Sequence, residues 1–227
     1  MPTTKSRQSS PRARGGKGRA APPSHRTPVV GFAIGVVVVL AVVAVVASRG
    51  STKKDEVKGL QQTRPVTVTG TPLPSLAAEG PDPAVGTLTP ELRGSTFAGR
   101  PVAIVHDGRP KLVLFVAHWC PHCQREVPAL ASWLLTNGKP AGVDLYTVAT
   151  GTTPDRPNYP PSAWLQREGW TVTTMADDDN QSAADAFGLS AYPFFVAVDG
   201  SGKVVARASG ELSISSLQTL LDQTRQT

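Results

Sequence analysis

Lys111-Leu112-Val113-Leu114-Phe115-Val116-Ala117 followed by His118-Trp119-Cys120-Pro121-His122-Cys123 is the stretch on which the reading of this chain turns. The first seven residues form a continuous apolar run behind a lysine, the pattern of a strand buried on both faces. The next six hold both cysteines of a 227-residue chain. Pro121 suits the first turn of a helix, where its missing N–H has no intrahelical partner to lose. Cys120 is therefore expected where a buried strand passes into a helix. Free backbone N–H groups and the helix dipole favour an anion there, and so a thiolate. Cys123 lies one turn further on the same face, so its sulfur can close a small disulfide ring with that of Cys120.

Other uses of two such cysteines fit less well. A bridge this short restrains little of the unfolded chain, which argues against a structural disulfide. His118, Cys120, His122 and Cys123 supply four candidate zinc ligands, but six consecutive residues do not easily wrap an ion tetrahedrally, so no metal is expected. Haem attachment needs a histidine after the second cysteine, and residue 124 is Gln. A redox-active dithiol is the reading that remains, and it requires no cofactor. His122, by adding a positive charge or a hydrogen bond to the Cys120 thiolate, would stabilise the reduced form and make the disulfide more oxidising.

Outward from the dithiol, the chain divides by composition. The formal charge of +6 is misleading, because residues 1–54 carry ten Lys and Arg and no acid, while the rest carry 13 Lys and Arg against 17 Asp and Glu. A mildly acidic domain behind a basic tail has no electrostatic footprint for nucleic acid, which is excluded as a partner. Residues 1–28, rich in Ser, Pro, Gly, Arg and Lys, read as a disordered cytoplasmic tail. Val29 to Ala47 runs 19 residues without a charged or strongly polar side chain. As a helix it would be about 28 Å long, close to the hydrocarbon thickness of a bilayer. Seven basic residues precede it and only Arg49, Lys53 and Lys54 closely follow, so the N-terminus is expected in the cytoplasm and the catalytic domain outside. An uncleaved single-span anchor is favoured over a signal peptide because the run exceeds an ordinary signal core. Residues 48–86, studded with Thr, Ser, Pro and Gly, read as an extracytoplasmic linker whose last third could pack on the domain.

Residues 87–227 are the expected folded domain. Strands are expected at Pro101 to Val105, Lys111 to Ala117, Val143 to Thr150 and Thr171 to Met175. A helix with an internal Pro128 is expected over Gln124 to Leu135, with short helices at Ser162 to Glu168 and Gln181 to Phe187. Phe194 to Val198 and Lys203 to Ala208 flank the turn at Asp199-Gly200-Ser201-Gly202 as a hairpin. Ser213 to Thr224 closes the chain as an amphipathic helix with Ile214, Leu217, Leu220 and Leu221 inward. The class is α/β, a mixed sheet with helices on both faces.

The strand, the two cysteines, Pro128 five residues later and Ala191-Tyr192-Pro193-Phe194-Phe195 together resemble the thioredoxin superfamily. The long middle insertion, Glu126 beside Pro128 and the hairpin tail are similar to its membrane-tethered, extracytoplasmic TlpA/ResA-type members. The Pro121-His122 dipeptide is the one associated with DsbA. The resemblance implies a thioredoxin fold and a thiol–disulfide oxidoreductase acting on protein thiols or disulfides of the cell envelope, recycled by a membrane redox partner. It makes Cys120 the exposed nucleophile, Cys123 the buried resolving thiol, and Pro193 a cis-proline facing them. Tyr192 would offer backbone groups to an extended substrate, and Trp119 an apolar contact.

Thioredoxins carry a buried acid six residues before the first cysteine; here Leu114 stands in that place. Glu126 is the nearest candidate for proton transfer, although a carboxylate one turn into a helix is more often solvated. His118 is expected at the surface, Asp177, Asp178 and Asp179 in a solvated loop, and Trp133, Trp164 and Trp170 in packing. Pro121 and His122 point to an oxidant. The scaffold points to a dedicated reductase, as in cytochrome c maturation, and a tethered copper-binding module is the alternative outside catalysis.

Overall fold

The computed structural model describes residues 59–225. The expected basic tail and the span Val29 to Ala47 lie outside the described residues. Eight strands form one sheet: β1 (Thr67–Thr69), β2 (Glu91–Ser95), β3 (Pro101–Ile104), β4 (Lys111–Val116), β5 (Asp144–Ala149), β6 (Thr173–Ala176), β7 (Phe194–Val198) and β8 (Val204–Ser209). Their order is β1-β2-β6-β5-β4-β7-β8, with β3 also paired to β2. The β4–β5 and β5–β6 pairs are parallel and the β4–β7 and β7–β8 pairs antiparallel, so the sheet is mixed. The fold is thioredoxin-like.

All six residues of β4 are buried. Leu112, Leu114 and Val116 point to one face and Val113 and Phe115 to the other, the period-two alternation of a strand covered on both sides. Four helices complete the described chain: α1 (Pro121–Asn137), α2 (Pro161–Arg167), α3 (Ser182–Ala186) and α4 (Ile214–Gln223). On the first face α1 contributes Cys123, Val127 and Leu130, α2 Trp164 and Leu165, and α4 Leu217, Leu220 and Leu221. On the second, Ala183, Ala184 and Ala186 of α3 pack with Phe187, Met175, Leu92 and Leu73.

Three expectations are corrected. The helix after the dithiol is longer than the span Gln124 to Leu135: it includes Pro121, as the first-turn fit of that proline implied, and continues through Pro128 to Asn137. Ile214 does not face inward: it is 37% exposed, because the Ser213 side chain caps α4 and leaves Ile214 on the outer side of the first turn. The stretch 59–86, expected as linker, packs on the domain. Strand β1 pairs with β2, Leu73 N–H donates to the Ala186 carbonyl at 2.9 Å, and Leu73 and Ala84 are buried. Its fastening is Arg207 on β8, whose buried guanidinium meets Asp82 at 2.9 and 2.5 Å and the carbonyls of Pro74 and Phe187 at 2.8 and 3.1 Å. Strand β2 was not expected either, since Arg93 and Gly94 interrupt its apolar alternation.

Candidate active site

The end of β4 and the start of α1 place the dithiol. Cys120 occupies the N-cap position with extended backbone, and its N–H donates to the Ala117 carbonyl at 3.0 Å. Its side chain makes no capping hydrogen bond to the first turn of α1. Both cysteines are unbridged. Cys120 is 6% exposed and Cys123 0%, so Cys120 is the more accessible of the two yet itself largely covered, not the exposed thiol expected of it. Opposite lies the cis peptide Tyr192–Pro193, with the Tyr192 carbonyl 3.8 Å from Cys120 Sγ.

Cys123 sits in a setting hostile to charge. Burial pushes its thiol far up, and the neighbouring Cys120 and Glu126 add to the shift, while a backbone hydrogen bond from Ala117 opposes it. Glu126 is buried at 3% exposure, against the solvated position expected of it. It follows Cys123 by three residues and so shares the buried stripe of α1 with Val127 and Leu130. Its Oε2 accepts from the Leu212 N–H at 3.1 Å, and its Oε1 is buried without a partner. Burial raises the Glu126 carboxyl above the ordinary range, with Glu211 nearby adding to the shift and the Leu212 bond opposing it. With Leu114 on the sheet side, the carboxyl that Cys123 feels is carried by the helix.

His122 does not bond Cys120. Its Nδ1 lies 2.6 Å from Glu211 Oε1 and 3.0 Å from Arg125 Nη2, and Arg125 Nε and Nη2 reach the same carboxylate oxygen at 3.0 and 2.5 Å. The Arg125 guanidinium, then His122, hold the Glu211 carboxyl down at about 2. Sequence reading missed Glu211, which lies 89 residues from His122 and carries no local signal.

Trp119 directly precedes Cys120. Its indole N–H donates to the Gly151 carbonyl at 2.8 Å, its ring meets Tyr192 edge-on at 5.7 Å, and Arg156 lies 5.1 Å above it. The Tyr192 hydroxyl donates to Gln181 Oε1 at 3.1 Å, and burial pushes that phenol up to about 12.

His118 and Asp177 are both buried, contrary to the surface positions expected for them. His118 Nε2 accepts from the Thr153 N–H at 3.2 Å, which leaves Nδ1 to donate to the Pro157 carbonyl at 2.7 Å. With both ring nitrogens engaged by backbone, it is not free as a metal ligand. Among the described residues no group of three or more His, Cys, Asp or Glu is placed to hold a metal ion. Asp177 accepts from the backbone N–H groups of Asp178, Ala183 and Ala184, and so seats α3.

Burial lowers the pKa of His118, and the backbone contacts with Pro157 and Thr153 only partly oppose it. The unfolded chain therefore binds this proton more readily than the folded one, and stability contributed here falls as pH drops below the ordinary histidine range. His118→Ala is expected to cost about 1–3 kcal/mol. It should also flatten that acid limb in chemical denaturation followed from pH 7 to 5.

A dithiol at a strand-to-helix junction, set against a cis-proline, defines a thioredoxin-fold protein with thiol chemistry at its centre. The chain belongs to the Redoxin family, whose model matches residues 84–221. It is 30% identical over 111 residues to the thiol:disulfide interchange protein HelX of Rhodobacter capsulatus, covering 49% of this chain and 58% of that protein. It thus spans less than two thirds of HelX. It is 29% identical over 150 residues to the methylamine utilization protein MauD of Paracoccus denitrificans, covering 64% of this chain and 68% of that one. The fold is similar to that of a thioredoxin family thiol:disulfide interchange protein of Chlorobium tepidum. The TM-score is 0.50 at 22% identity, over 65% of this chain and 99% of that one.

Proposed function

We propose that this chain is a membrane-anchored, extracytoplasmic thiol–disulfide oxidoreductase that exchanges disulfides with envelope or secreted proteins through Cys120 and Cys123. The observation that carries the reading is the difference between the two sulfurs. Cys120 stands at the helix N-terminus near the Tyr192 carbonyl, whereas Cys123 is fully buried beside a carboxyl that holds its proton above the ordinary range. The anchor is supported by the apolar run Val29 to Ala47 and its basic N-terminal flank.

In the oxidising direction a substrate thiolate attacks Cys120 Sγ of the Cys120–Cys123 disulfide. A mixed disulfide forms, the Cys123 thiolate leaves, and Glu126 supplies its proton. A second substrate thiolate then attacks the substrate sulfur, forms the substrate disulfide and releases Cys120 as thiolate. Two electrons have passed to the enzyme. In reduction the Cys120 thiolate attacks a substrate disulfide, and Cys123, deprotonated toward Glu126, resolves the mixed disulfide. Pro121 and His122 favour the oxidant. Reductase action, as in cytochrome c maturation, is favoured by the buried base beside the resolving thiol, which that direction needs most.

Reduction potential in glutathione buffers decides between them. A value near the thioredoxin range of about −270 mV makes the chain a reductant, and one approaching about −120 mV an oxidant. Cys123→Ser should trap mixed disulfides with envelope proteins on non-reducing gels. If none form and the protein instead binds Cu(I) stoichiometrically, the oxidoreductase reading fails.

A further inference from the structure

The four-residue loop Gly210 to Ser213, between β8 and α4, reaches three parts of the site. Gly210 N–H donates to the Pro193 carbonyl at 2.8 Å, Leu212 N–H donates to Glu126, and Ser213 caps α4. Between them Glu211 binds His122 and Arg125. These are the two cationic or potentially cationic side chains of the first turns of α1. His122 is two residues from Cys120, and Arg125 is close enough to feel the charge on its sulfur.

We propose that Glu211 is a positioning residue that makes the dithiol less oxidising than its Pro121-His122 dipeptide implies, by drawing His122 and Arg125 to its carboxylate so that they stabilise the Cys120 thiolate less. The inference rests on the exchange activity proposed above and names what sets its direction. Reduction by glutathione consumes the Cys120–Cys123 disulfide and two glutathione thiols. It yields glutathione disulfide, the Cys123 thiol, the Cys120 thiolate and one released proton. Any group that stabilises the thiolate pulls this equilibrium toward the reduced enzyme and raises the potential. His122 and a guanidinium would do so. A carboxylate that occupies both does the reverse.

The size is bounded by exposure. His122 and Arg125 are 57% and 56% exposed and Glu211 37%, so solvent and salt screen the pair. Glu211→Gln keeps the shape, removes the charge and sits at the surface, so it should fold as the parent does. Its equilibrium constant with glutathione is expected to move about 3- to 10-fold toward the dithiol, which is roughly 14–30 mV at 29.6 mV per tenfold. The difference should shrink at high salt, and Glu211→Asp should largely restore the parent potential.

Arg125→Gln, which removes a cation, should move the equilibrium the other way. Combining Glu211→Gln with His122→Ala and Arg125→Gln should leave little of the original shift. A purely structural role for Glu211 would alter melting without moving the potential. An unchanged or lowered potential in Glu211→Gln, or an equal shift when His122 and Arg125 are both absent, overturns the proposal while exchange itself stands. Failure of the parent protein to exchange with glutathione at all would remove the oxidoreductase reading and this inference together.

Discussion

Asp82→Ala is expected to destabilise the fold by about 3–5 kcal/mol, because it leaves the Arg207 guanidinium buried without its counter-charge. The side chain of Arg207 is 0% exposed and that of Asp82 12%, so water cannot replace the lost partner without opening the domain. The two carbonyls that also accept from Arg207 belong to Pro74 and Phe187, and neither carries a formal charge. For a domain of this size the loss corresponds to a fall in Tm on the order of 10 °C. The double replacement Asp82→Ala with Arg207→Leu should recover much of it, since an apolar pair removes the uncompensated charge. The pH dependence has a definite sign. The Arg207 hydrogen bond holds the Asp82 carboxyl below its ordinary value, so its stabilisation is present above the usual carboxylate range and is lost as pH falls through the lowered pKa. Thermal melts of parent and variant should therefore converge in strong acid.

Glu126→Gln should slow the step in which Cys123 takes up or gives up its proton by about 100- to 10,000-fold, the usual range for losing a positioned acid–base group. Single-turnover decay of a mixed disulfide at Cys120 would measure it. In the parent, the resolving rate in the reducing direction should climb as pH rises through the elevated Glu126 pKa, because only the carboxylate accepts the proton. That limb should vanish in the variant. Stability should respond in the opposite sense. A carboxyl whose pKa is raised by folding costs stability once it must ionise, at pH above that raised value, and the cost disappears as pH falls through the window. The amide variant escapes it while its oxygen can still accept from Leu212 N–H, so Glu126→Gln should be more stable than the parent at neutral pH while slower in exchange.

The central strand and the dithiol were legible because their signals are local. A run of six buried residues and a proline-led helix start are written in neighbouring positions, and the place of Pro193 followed from family resemblance. What escaped was burial imposed from a distance. Glu126 could have been found: Cys123, Glu126, Val127 and Leu130 follow the helical spacing of one stripe, and that pattern outweighs the general preference of carboxylates for solvent. His118 and Asp177 gave no such sign, since what buries them is a loop of residues 151–160 and a short helix that close over them. The docking of residues 59–86 was hidden by their Pro, Thr and Gly content, which resembles a tether even where Asp82 and Leu73 are fixed to the sheet.

Surface loops ordinarily absorb insertions and deletions, because little depends on their length. The turn from β8 into α4 is an exception. Its consecutive residues Gly210, Glu211 and Leu212 hold the carbonyl of the cis-proline, the charged side chains of the helix start and the buried carboxylate. One added residue would shift all three attachments at once and put each out of register with its partner. In any redesign of this scaffold, the stretch with the least freedom in length is therefore an exposed turn rather than the apolar core.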